Sequence, residues 1–341
     1  MKFLISLSSI FGFLALNANV IGVEMQQPVP VKVNPQAQHV WLAGIDPVVA
    51  ADRQRIGMTT SSGSSINDFM DLWKPDAPWA KAASEVQIFK VSTQFLHRST
   101  DEQLSLVIND LRRRHIALAF AAEIIATSAQ CGNGVPGYTT RAVIQTAVDR
   151  VSRLGGTIDY VAFDSPMAFG HFNILQKPNA CQYTTEELVR NIAPQIKILK
   201  TAFPNIVFGD VEPVNNHTVG WINDYLDFAK QFRQQTGERL SFLQADIIWY
   251  DNWQPQLMEW RKRLHEAGIS YGVIFDGSSI DKSDMEWTNH AIERYHTVTH
   301  NADIKPDDYV FQTWHSYPTR FLPEGRRGTL TSVILQTVGG R

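Results

Sequence analysis

Carboxylates recur in this chain where apolar runs end. Asp210 and Glu212 close the run Ile206–Phe208 two residues apart, and Pro213 follows at once. Asp164 ends "YVAFD", Asp246 ends "LSFLQAD", Asp276 ends "YGVIFD", Glu123 follows "ALAFAA" and Asp46 follows "HVWLAGI". Side chains alternate along a strand, so Asp210 and Glu212 share a face. Carboxylates crowded away from water do not all ionise; one keeps its proton while another stays charged. Hydrolysis of a glycosidic bond uses such a pair, a protonated acid for the leaving oxygen and a base or nucleophile opposite. Any one of these acids could instead cap a loop, and Asp46-Pro47 and Asp251-Asn252 also read as turns. A shared cluster of buried acids needs protons, cations or a chemical task.

Aromatic residues flank the same strand ends. Trp249, Tyr250 and Trp253 surround Asp251, and Trp314, His315 and Tyr317 follow the last strand candidate. Flat apolar faces beside hydrogen-bonding groups suit sugar rings, although ordinary packing is an alternative use for each. Two other function classes compete. The same acids could ligate a divalent cation in a metal-dependent sugar enzyme. There is no His-x-His or HExxH, and His171, His217 and His315 stand alone; neither a metal nor a cofactor is expected. The other class is a non-catalytic polysaccharide-binding barrel. Ser165 and Ser278 lie beside acids, but no G-x-S-x-G elbow occurs.

These residues must be positioned by regular elements. Eight apolar runs, "HVWLAGIDP", "VQIFKVSTQFL", "IALAFAAEII", "YVAFDSP", "IVFGDVEP", "LSFLQADIIWY", "SYGVIFDGS" and "YVFQTWHSYP", alternate with helical patterns. Helices are predicted near 100–114, 139–154, 184–202, 219–235, 255–267 and 283–299. Thr100 with Gln103 forms a capping-box pattern, and Glu186 and Glu187 lie in a first helical turn, where the dipole favours acids. Gly237 and Gly268 stand just past helix ends. Strand–helix alternation argues for parallel units. With no G-x-G-x-x-G after the first strand, a closed (β/α)8 TIM barrel from His39 to about Val338 is expected. Alternation then sends Asp46, Lys90, Glu123, Asp164, Asp210, Glu212, Asp246 and Asp276 to the inside, near the C-terminal mouth where such barrels place their chemistry.

Composition bounds the remaining possibilities. The chain has 341 residues, 44% hydrophobic and 19% charged, with formal net charge −3. That is a core-building protein with no basic patch for nucleic acid or an anionic membrane. Residues 1–22 read as a cleaved secretory signal, 23–38 as an extended leader and 39–341 as one catalytic barrel. A secreted or periplasmic location, no membrane association after signal cleavage and a monomer are expected. Cys131 and Cys181 fall in the third and fourth βα loops, where one disulfide could staple the active face.

Taken together, the chain resembles the secreted (β/α)8 glycoside hydrolases. The likeness spans the barrel and is architectural. Asp164, Glu212 and Asp276 on strands four, five and seven are similar to the α-amylase-like pattern of nucleophile, acid/base and transition-state stabiliser. Ala162 stands where that family has Arg, and no His precedes Asp276. Nor do Phe163-Asp164 and Phe275-Asp276 match the retaining clan with paired glutamates. The resemblance implies a poly- or oligosaccharide substrate. Glu212 is the expected general acid, with Asp210 raising its pKa. Asp164 or Asp276 is the expected ionised partner and Glu123 a further catalytic acid. Asp46, Lys90, Asp210, Asp246, Trp249, Asp251, Trp253, Trp314 and His315 are expected to bind substrate.

Overall fold

All eight apolar runs form strands: β1 (His39–Ala43), β2 (Ile88–Ser92), β3 (Ala117–Ala122), β4 (Tyr160–Asp164), β5 (Val207–Pro213), β6 (Leu240–Asp246), β7 (Ser270–Phe275) and β8 (Asp308–Gln312). Neighbours pair in parallel and β8 returns to β1, closing an eight-stranded barrel. The computed structural model describes residues 38–55, 68–215 and 220–339. The signal segment, most of the leader, residues 56–67 of the first βα loop, His217 and the predicted helix start at Val219 lie outside the described residues.

The helices are α1 (Pro47–Arg55), α2 (Ala80–Glu85), α3 (Thr93–Arg98), α4 (Asp101–Arg114), α5 (Arg141–Arg153), α6 (Thr185–Ala202), α7 (Trp221–Thr236), α8 (Gln254–Glu266), α9 (Asp284–Thr299) and α10 (Leu330–Thr337). Thr100 and Gln103 form the expected capping box on α4, and Thr184 and Glu187 form another on α6. Gly237, at φ 75°, closes α7 in the left-handed region that glycine tolerates. The short helices α1 to α3 carry no long amphipathic stripe, so periodicity does not announce them.

Packing divides each strand between two layers. Trp41, Ile88, Ala117, Ala119, Tyr160, Ala162, Phe242, Ile274 and Val310 fill the barrel, with Val207 and Val211 against them. The Trp41 ring meets Tyr160 at 5.2 Å and Phe242 at 5.1 Å. Three large rings from well-separated strands are accommodated because β3 and β4 contribute alanines. The alternate set, including Leu42, Phe89, Phe120, Phe163, Phe208, Leu243 and Phe275, packs under the helices.

The alternation expected for β2, β3, β4, β6 and β7 therefore holds, and that for β1 and β5 is reversed. On β1, Trp41 faces in, while a Cβ on Gly44 would meet the outer-layer Phe321 ring at 2.5 Å. On β5, Val207 and Val211 face in, while Phe208 packs outward on Phe163 at 6.1 Å and Phe232 at 6.0 Å. Gly209 decides this parity. A Cβ there would lie 2.4 Å from the Phe242 ring, so the ring occupies the space an inward side chain would need. Beside Gly209 the β5–β6 register shifts. Asp210 and Glu212 follow Phe208 to the outer face.

Gly209→Ala is expected to lower stability by about 1–3 kcal/mol, the usual range for overpacking. Adding Phe242→Leu should recover part of that loss. Denaturant titration of the single and double variants measures both effects, and additive losses would contradict the packing account.

Candidate active site

At the C-terminal ends of the strands, the inward positions become polar. Lys90 of β2 is 2% exposed, and its Nζ donates to Gln244 Oε1 of β6 at 2.6 Å. Burial pushes the Lys90 amine down to about 7, against the attraction of Asp164 and Asp246. Burial also pushes Asp164 up to about 6, and the Lys90 charge opposes it. Asp246 is pushed up to about 7, first by burial and then by the Asp164 charge, with Lys90 again opposing. These three groups act on one another, so protons enter and leave them as a set near neutrality. Both aspartates keep part of their surface open.

Glu123, just past β3, also joins this end. Gln94 Nε2 donates to its Oε1 at 2.9 Å. Burial and the Asp164 charge push it up to about 7, while Gln94 and Arg98 oppose. Across the mouth, Asp276 Oδ1 accepts from Trp249 Nε1 at 2.7 Å and lies 3.4 Å from Arg294 Nη1. Burial raises Asp276 well above the usual carboxylate range, as does the Asp246 charge; Arg294 and Trp249 pull the other way. The Arg294 guanidinium covers the Trp249 ring at 5.0 Å and donates to the carbonyls of Asp276 and Gly277 at 2.7 and 2.5 Å. His315 Nδ1 accepts from Trp287 Nε1 at 3.1 Å, which places any proton of the neutral ring on Nε2. Burial, reinforced by Arg294, pushes His315 down to about 4.

Trp253 meets Trp249 edge-on at 5.2 Å, and Trp314 covers the interior cluster while its carbonyl accepts from Arg53 at 2.7 Å. Tyr250 is 90% exposed beside them. The Cys131–Cys181 disulfide joins the loops after β3 and β4, as expected.

Three expected positions turn away from the mouth. Glu212 is fully buried outside the barrel wall, where its two oxygens accept from Met167 N at 2.7 Å and Ala168 N at 3.1 Å. Asp210 lies beside it, also fully buried. The α-amylase-like trio of Asp164, Glu212 and Asp276 is therefore not assembled in the mouth. Asp46 is 1% exposed and accepts from Val48 N and Val49 N at 2.9 Å, capping α1, with the Ser92 hydroxyl on its other oxygen. Asp251 is an exposed turn residue whose carboxylate accepts from Asn252 N at 2.7 Å. Three contributors escaped the sequence reading. Gln244 had the right parity but no charge, and Trp287 and Arg294 reach the mouth from α9, which no strand-end pattern reveals.

No family model and no curated protein matches the sequence. Solved structures do match. A family 10 glycoside hydrolase (GH10) from Paenibacillus barcinonensis is 12% identical over 84% of this chain and 87% of that one, with a TM-score of 0.50. Fungal β-1,4-galactanases match at 11% identity over 86% and 98%, TM-score 0.46. The carboxyl transferase domain of Rhizobium etli pyruvate carboxylase matches at 11% over 81% and 40%, TM-score 0.47. The likeness is one of fold. It agrees with the closed parallel barrel, and the site must be read from its own residues.

The charge of buried Lys90 acts on two mouth acids, Asp164 and Asp246. Lys90→Met should raise the titration midpoints of both Asp164 and Asp246 above about 6 and about 7, because their charged forms lose an attractive partner. Carbon-detected NMR of the aspartate carboxyls, with Asp164→Asn and Asp246→Asn for assignment, measures the shift. Unmoved midpoints would exclude the electrostatic triad.

Proposed function

We propose that this chain is an exported glycoside hydrolase acting on a poly- or oligosaccharide at the C-terminal mouth of the barrel. The observation that carries this reading is the Asp164–Lys90–Asp246 arrangement: two partly open carboxylates from β4 and β6, facing one buried ammonium. Asp246, the acid held at about 7, protonates the leaving oxygen. Asp164, at about 6, is the ionised nucleophile or base. Glu123 and Asp276 line the two sides of the cleft. Trp249, Trp253, Trp314 and the exposed Tyr250 ring offer faces for sugar rings.

Gln244 Nε2 is buried without a hydrogen-bond partner beside Lys90. Leaving that donor unpaired is costly, and the same amide holds Lys90 through its Oε1. Export is supported by the N-terminal pattern and by the disulfide. Among the described residues no helix is long and apolar enough to cross a membrane.

The test is a screen of the purified chain against a polysaccharide panel with product analysis. Asp164→Asn and Asp246→Asn should each lower kcat roughly 100- to 10,000-fold, the range for losing one acid–base group. The kcat/KM profile should rise as Asp164 loses its proton through about 6 and fall as Asp246 loses its own through about 7. Tight oligosaccharide binding without turnover would identify a binding barrel instead.

A further inference from the structure

The acids of β5 that turn away from the mouth form a second constellation, behind the wall. Asp210 and Glu212 share the outer face of the strand, both with 0% exposure. Glu212 spends both oxygens on backbone amides, those of Met167 and Ala168. Asp210 Oδ1 accepts from Val211 N at 2.9 Å, and its Oδ2 receives no N–H or O–H donor from another residue. The two side chains leave β5 two residues apart on this one face, so the buried carboxyls are close neighbours. Two ionised carboxylates are acceptors only, so these neighbours can bond to each other only when one of them carries a proton. Two adjacent buried negative charges would also repel and lose hydration.

The amides that Glu212 holds belong to a single wide helical turn, Met167–His171, directly after β4. Between that turn and Asp164 stands Ser165, at φ 51° in the left-handed region, whose N–H donates to the carbonyls of Phe163 and Val211 at 3.1 Å each. A non-glycine residue keeps such a conformation only where its surroundings impose it. Glu212 supplies that restraint from one side and the β5 backbone from the other.

We propose that Asp210 and Glu212 act as one proton-sharing pair that clamps the Met167–His171 turn and thereby positions Asp164 in the mouth. Glu212 is then a positioning residue that never touches substrate. The titratable groups that act on the pair are Asp164, whose charge reaches it from the mouth side of β4, and Tyr225 on α7; the Tyr225 hydroxyl is buried and has no hydrogen-bond partner. Burial raises both acids, and so does the Asp164 charge. A raised folded-state pKa stabilises the fold while the proton is present. That stabilisation is lost as pH rises through the folded value, so the clamp should loosen on the alkaline side.

The role of Asp164 rests on the glycosidase reading, but the clamp can be tested without substrate. Amide hydrogen exchange at Met167 and Ala168, corrected for intrinsic rates, would be followed against pH in the full chain. In the wild type, protection should fall as the shared proton leaves. Asp210→Asn donates its side-chain amide to Glu212 permanently, so protection should persist to higher pH. Glu212→Gln puts an NH2 group, which cannot accept, where one of the two accepting oxygens stood, so one amide loses its present partner and exchange should quicken at least about tenfold at every pH, as expected for a lost hydrogen bond to a charged group. If hydrolysis is found, Glu212→Gln should lower kcat with little change in KM. Carbon NMR of the wild-type carboxyls provides a readout independent of how well the variants fold. One shared proton at neutral pH supports the clamp; two ionised carboxylates overturn it. An identical pH dependence of exchange in Asp210→Asn and wild type also overturns it. Absence of all hydrolysis would remove the enzymatic reading and leave the exchange result standing.

Discussion

The Lys90 ammonium and the carboxylates of Asp164 and Asp246 constrain one another, because none of the three is fully hydrated. Burial alone would neutralise each of them. Their mutual attraction restores part of the charge, which brings the three titrations close to neutrality. Gln244 fixes the ammonium at 2.6 Å and so fixes where its charge stands. The closed sheet supplies the geometry: β2, β4 and β6 present the same parity inward, and three large rings fill the interior beside them.

Strand β5 lies between β4 and β6 and contributes no acid to the mouth. Its inward face is Val207, Gly209 and Val211. This leaves the acids of β4 and β6 on either side of a neutral wall. The outer face of the same strand carries a different acid pair, which grips the loop leading out of β4. One short sequence, Asp210 to Glu212, thus acts on the mouth from behind, through backbone hydrogen bonds to Met167 and Ala168.

The rim follows similar logic. Asp276 is held by Trp249 and Arg294, and Arg294 in turn covers the Trp249 ring and binds two carbonyls at the end of β7. Gly277 permits this crowding, since a Cβ there would lie 2.3 Å from Trp287, the partner of His315. The disulfide between Cys131 and Cys181 ties down the opposite side of the same face. The mouth is therefore framed by elements from β3 to β8 rather than by one motif.

Much of this was legible in the order of residues. Apolar runs alternating with capped helical patterns determined the eight strands, the barrel and the sites of most helices, because hydrophobic period and capping are local properties. The inward placement of Lys90, Glu123, Asp164, Asp246 and Asp276 was legible for the same reason. The parity of β5 was not. Two alternating sets, one with Phe208 and the acids and one with Val207 and Val211, are equally acceptable to a strand considered alone. Only packing chose between them: the Phe242 ring lies on Gly209 inside, and Phe163 and Phe232 receive Phe208 outside. A shift of one position exchanges the two faces of a strand, so contacts between residues distant in sequence decided which acids reach the mouth.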